Sequence, residues 1–137
     1  MAEIGKGSVI YALRLDLDNQ IESMNMVAAD LDELIISAAV AMNDYQKAKA
    51  RIDLIEQGVL LNPDVTAMYT NEKQRVAAVK IHLAADDNYL GALDDVYKTY
   101  ERKAECEARV ESMRATLSGW KRKCEMTVAV VRAAGAE

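Results

Sequence analysis

The chain has 137 residues, is 51% apolar but only 5% aromatic with no Phe, contains one Pro, and carries a formal charge of −5. That length makes one domain, and a core of many small side chains with almost no proline points to a mostly helical protein. The acidic total, taken alone, argues against a nucleic-acid protein, and no apolar run approaches the ~20 residues of a membrane span.

Charge is unevenly spread. Residues 1–100 carry 9 basic and 16 acidic groups, whereas residues 101–137 carry 8 and 6. The cations gather near Lys47–Arg51 and at Lys121-Arg122-Lys123, and such local arrangement matters to a charged ligand as well as the total. Cys106 and Cys124 show no Cys-x-x-Cys spacing, so they read as reduced, partly buried thiols of a cytoplasmic protein.

Residues 1–7 read as a frayed arm, within a short N-terminal segment over 1–17. From Val9 to Leu17 two periods compete. Val9, Tyr11, Leu13, Leu15 and Leu17 alternate with polar residues as in a strand, while Ile10, Leu13 and Leu17 continue a heptad. The heptad favours helix, with a break near Asp18-Asn19, where Asn19 and Glu22 resemble a capping box.

Residues 18–57 then form one long amphipathic helix. Its a positions are Met24, Leu31, Ala38, Tyr45 and Ile52, and its d positions are Gln20, Val27, Leu34, Ala41, Ala48 and Ile55. At ~1.5 Å per residue, residues 19–57 span about 58 Å. The e positions Ile21, Ala28, Ile35 and Met42 are also apolar, which widens the stripe to suit a multi-helix bundle. The helix is expected to stop at Gly58.

Asn62-Pro63-Asp64 combines an N-cap, a first-turn proline and an acid at the positive end of the dipole. A return helix follows over 63–118, kinked near 86–91 by Asp86-Asp87-Asn88 and Gly91. The step from Tyr100 to Val110 does not keep phase, which predicts a local change of partner. Ser118-Gly119 marks a kink or a stop, followed by a C-terminal helix over 119–134 and a loose tail from Gly135. The expected fold is all-α: a long antiparallel helical hairpin that oligomerises through Leu17, Met24, Leu31, Leu34, Ile35, Trp120, Val128 and Val131.

No catalytic constellation, cofactor motif or metal-ligand spacing is present in the sequence, so a non-enzymatic protein is expected. His82 would stack near Asp86 at i+4, and Asp30-x-Asp32-Glu33, Asp86-Asp87 and Asp94-Asp95 read as solvated faces. What remains is binding. Lys47 and Arg51 are i,i+4 neighbours, and Lys49 and Asp53 form another such pair one face over. The three cations, with Lys121, Arg122 and Lys123, are the candidate contacts for DNA phosphates.

Lys49-Ala50-Arg51-Ile52-Asp53, with Gly58 downstream, resembles the Leu-Lys-Ala-Arg-Leu-Asp-Tyr signature of the UvsY recombination mediators of tailed phages. Ala85-Asp86-Asp87-Asn88-Tyr89-Leu90 is similar to that family's Ala-Asp-Lys-Asp helix, and Ser118-Gly119-Trp120 before Lys121-Arg122-Lys123 to its Gly-aromatic-basic segment. The length is similar too. The leading Leu of the signature is Ala48 here and its Tyr is Leu54.

The resemblance implies a helical ring that binds single-stranded DNA, contacts a single-strand-binding protein and helps load a RecA-like recombinase, with Lys49 and Arg51 as the signature cations. It would place the protein in a host cytoplasm. The other reading is a helical structural or adaptor protein without a nucleic-acid role: a virion or scaffold component, or an inhibitor docking on a host protein. The polar faces are mixed in sign, so no membrane association is expected.

Overall fold

The computed structural model describes residues 2–136, with side chains from Gly7 to Gly135. It is all-α, with no strand among the described residues. Four helices follow in order: α1 (Ala2–Leu60), α2 (Pro63–Thr66), α3 (Glu72–Ala84) and α4 (Asp87–Ala136). The long helix α1 packs antiparallel against α4 as a hairpin.

The heptad decides which side of α1 is covered. Its buried residues, Gln20, Leu31, Ala41, Ile52 and Val59, all fall on a or d positions. Residues 8–17 are helical, so the strand alternative falls away. The break expected near Asp18-Asn19 is absent, and α1 passes through it without interruption. Asn19 is exposed and caps nothing, because Leu13, Leu17 and Gln20 keep the seam in phase across it. The arm is likewise helical from Ala2, with Met1 outside the described residues. Gly58 lies inside the helix, which ends two residues later against the Asn62-Pro63 cap.

The chain divides into two compact units, Met1–Ile36 with Glu107–Glu137, and Ser37–Cys106. In the first unit the buried Gln20 sits at a d position of the seam. Its Nε2 donates to Asp16 Oδ2 at 3.1 Å and its Oε1 accepts from Thr127 Oγ1 at 3.0 Å. Both ends of the amide are thereby satisfied, which a buried polar group in a seam requires.

The second unit contains the reversal of the chain. Asn62 caps α2 as expected, its side chain accepting from Asp64 N at 3.1 Å, but α2 lasts only four residues. The single return helix from 63 is therefore replaced by three helices. Asn71 caps α3 by accepting from Lys73 N at 2.9 Å, and Arg75 Nε donates to Tyr69 O at 2.6 Å, fixing the intervening turn. Asp86 begins α4 by accepting from Asn88 N at 2.9 Å. The interruption expected over 86–91 thus falls at Ala85-Asp86, and Gly91 is an ordinary helical residue of α4.

Along α4 one continuous line of covered positions runs Tyr89, Ala92, Val96, Thr99, Lys103, Cys106, Val110, Met113, Leu117, Trp120, Cys124, Thr127 and Val131, with Leu93, Val128 and Ala134 half-covered beside it. The spacing along that line alternates three and four throughout, so the phase change expected after Tyr100 does not occur. Thr99, Lys103 and Cys106 fill the positions that the large apolar side chains leave. Ser118-Gly119 falls on the exposed side between Leu117 and Trp120, and α4 continues through it to Ala136, past the tail expected from Gly135. Glu137 lies outside the described residues.

Candidate functional site

Lys47, Lys49 and Arg51 are all exposed on the part of α1 that belongs to the second unit. Two residues on a helix are ~200° apart, so Lys47 and Arg51 occupy one flank of the seam and Lys49 the other. The flanks differ chemically.

On the first flank Arg51 Nη2 donates to Asn88 Oδ1 at 3.0 Å, and its Nη1 lies 3.5 Å from Asp95 Oδ2. Arg102 Nη1 lies 3.9 Å from Asp44 Oδ2 on the same side. On α4, Lys98 Nζ meets Asp94 at 2.8 Å, a hydrogen bond and attraction that raise the lysine's pKa. Apart from Lys47, which makes no ion pair among the described residues, the charges of this flank are paired, and Arg51 belongs to these pairs.

On the other flank Lys49 does not pair with Asp53. Its ammonium lies 5.3 Å from the centre of the Tyr45 ring, one helical turn earlier. The Tyr45 ring meets Tyr100 of α4 at 5.6 Å between centroids, tilted by 58°. Lys103 Nζ lies 5.6 Å from the first ring and 5.7 Å from the second. Two helices thus build a cluster of two rings and two ammonium groups, held by cation–π attraction. Tyr97, one turn before Tyr100 on α4, is 62% exposed, and Tyr100 is 51% exposed.

Sequence reasoning missed this cluster. Tyr45 reads as a seam residue and Lys103 as a surface charge, and only the pairing of α1 with α4 brings them together. The i,i+4 spacing of Tyr45 and Lys49 and the i,i+3 spacing of Tyr100 and Lys103 were the available signals. Leu54, which stands where the resembled signature has Tyr, is exposed and carries no ring.

Lys121, Arg122 and Lys123 are exposed and belong to the first unit, so the two cation groups do not share a unit. Consecutive helical residues fan out by ~100° each. Only Lys123 turns toward Trp120, its Nζ lying 4.9 Å from the ring centre. A polar groove of about 310 Å³ adjoins them, lined also by Asp16, Gln20 and Ser23.

The residues expected to join subunits are mostly used within the chain. Leu17, Met24, Leu31, Leu34, Trp120, Val128 and Val131 are covered or half-covered in the first unit. Ile35 alone of the eight is exposed, because a two-helix seam covers a and d but not e. With it stand Ile21, Met26 and Ile36.

The second unit also has an apolar groove of about 480 Å³ where α1, α3 and α4 meet, walled by Leu60, Val76, Val79, Leu83 and Tyr89, with Glu56 at its edge. The Tyr89 hydroxyl donates to Glu56 Oε1 at 3.3 Å. Burial, then the nearby Glu56 carboxylate, raise the pKa of this phenol.

His82 is exposed and makes no ion pair with Asp86, whose carboxylate is committed to the start of α4. Among the described residues no three His, Cys, Asp or Glu side chains converge as a metal site, and no helix is long and apolar enough to cross a membrane. Both cysteines are unpaired and half-buried in the seam. No protein-family model, curated protein or solved structure matches the chain.

Proposed function

We propose that the protein is a non-enzymatic recombination mediator: a homo-oligomer, arranged as a ring, that binds single-stranded DNA and assists loading of a RecA-like recombinase beside a single-strand-binding protein. The observation that carries this reading is the state of two cations. Lys47 and Lys49 are exposed and make no ion pair among the described residues, whereas Arg51 is engaged by Asp95 and Asn88. The hairpin architecture and the motif resemblance around Lys49 and Arg51 support the same reading.

The mechanism is avidity. One or two phosphate contacts per chain are individually weak and salt-sensitive, and they hold a strand only when repeated around an assembly. Ile21, Met26, Ile35 and Ile36 are exposed apolar side chains of α1 that subunit contact would cover. A strand held this way is released to a recombinase without any covalent chemistry.

Replacing Lys47 and Lys49 with Ala together is expected to weaken binding of a fluorescent single-stranded oligonucleotide. The slope of log affinity against log salt should flatten by about 0.7 for each phosphate that the variant no longer neutralises, with assembly mass unchanged. Equal salt slopes for variant and parent contradict the assignment. Arg51→Ala is expected to change the slope least of the three.

The groove between α1, α3 and α4 favours a second reading, a helical structural or adaptor protein without a nucleic-acid role. Absence of single-strand binding at low salt would select it.

A further inference from the structure

We propose that Tyr97 and Tyr100 form a platform on which bases of a single strand stack, with Lys49 on the same flank for a flanking phosphate. The proposal rests on the single-strand-binding reading above and adds the residues that would hold the bases.

The two rings lie one turn apart on α4 and are more than half exposed. Exposed tyrosines on a packed helix face are unusual for a core, where their area would be covered. Tyr100 is fixed from beneath by Tyr45, which packs against it at 5.6 Å. A ring already held by a tilted neighbour and half exposed loses little freedom when a base lands on its uncovered part.

The electrostatics fit a polyanion. Lys103 lies within cation–π range of both Tyr45 and Tyr100, and Lys49 within range of Tyr45. The carboxylates of Asp94, Asp95 and Asp44 are each met by a cation, Lys98, Arg51 and Arg102 respectively. Glu101 is an exposed acid next to Tyr100, ~100° around α4 from that ring, and Asp53 and Glu107 are exposed acids one turn from Lys49 and Lys103.

Positive charge interleaved with aromatic faces is the chemistry that grips single strands without reading sequence. A duplex hides its base faces within its own stack, so the same surface favours single strands over duplex.

The test is fluorescence anisotropy of the full chain with labelled oligo-dT and with an abasic oligodeoxynucleotide of equal length. The parent is expected to bind dT more tightly than the abasic strand. Tyr97→Ala and Tyr100→Leu should each weaken dT binding by roughly 5- to 100-fold, the range for removal of one base stack, and leave abasic binding unchanged. Tyr100→Phe, which keeps the ring, should retain parental affinity.

Tyr97 takes no part in the Tyr45–Tyr100 contact, so its variant keeps the test sound if Tyr100→Leu disturbs packing. Equal parental affinity for the two strands, with tyrosine variants matching the parent, overturns the platform and leaves the phosphate-binding reading standing. Failure of the parent to bind either strand removes both.

Discussion

Two cations of one short motif have different surroundings. Lys49 and Arg51 are two residues apart, which on a helix sends them to opposite flanks, one against rings and the other against carboxylates. The sequence makes both residues legible as charges, and Tyr45, the neighbour of Lys49, lies one turn back on α1, but the partners of Arg51, Asn88 and Asp95, come from α4. Recognising the site therefore required the hairpin register. An exposed pair such as Arg51–Asp95, with both side chains about half exposed, contributes at most ~1 kcal/mol to stability. Tyr89 offers a separate check. Its raised folded-state pKa, caused by burial and then Glu56, means the folded protein keeps the phenolic proton longer than the unfolded chain. The associated stability is present below the ordinary tyrosine value of 10.0 and lost as pH rises through the raised value. Tyr89→Phe should accordingly show a shallower alkaline loss of stability than the parent in urea unfolding above about pH 9. Parallel pH profiles would contradict the placement of Tyr89 beside Glu56.

At the level of helices, the regular part was legible and the irregular part was not. The a and d positions of α1 are visible in sequence because they are mostly large and apolar, and every buried residue of α1 is one of them. On α4 the same rule failed between Val96 and Val110, where Thr99, Lys103 and Cys106 occupy the seam and look like surface residues. The start of α2 was readable from Asn62-Pro63, but its early end was not, since it depends on a second cap at Asn71 and the Arg75–Tyr69 clamp. Ser118-Gly119 carries no such cap, and its flanking seam residues hold the helix through a glycine that costs only ~1 kcal/mol. Gln20 is the polar entry in the seam of α1, and such residues fix register. Gln20→Ala should destabilise the chain by about 1–3 kcal/mol, because the Thr127 hydroxyl and Asp16 lose their partner. Combining Gln20→Leu with Thr127→Val should cost less than the sum of the two single changes in chemical denaturation. Strict additivity would show that the pair does not interact.

For the molecule as a whole, a small acidic chain must concentrate a few cations to hold an anion. The chain covers its a and d residues by folding back on itself, so the proposed subunit contact would fall to the exposed e-side residues Ile21 and Ile35, with Met26 and Ile36 further round α1. Under the mediator proposal, repetition of the Lys47 and Lys49 positions in an assembly would multiply contacts that one chain would make too weakly. Sedimentation velocity of the chain with a dye-labelled single strand at low salt tests both parts together. The account predicts that the dye co-sediments with a particle containing several 15.1 kDa chains. A free oligonucleotide beside a 15.1 kDa monomer at micromolar concentration would contradict it.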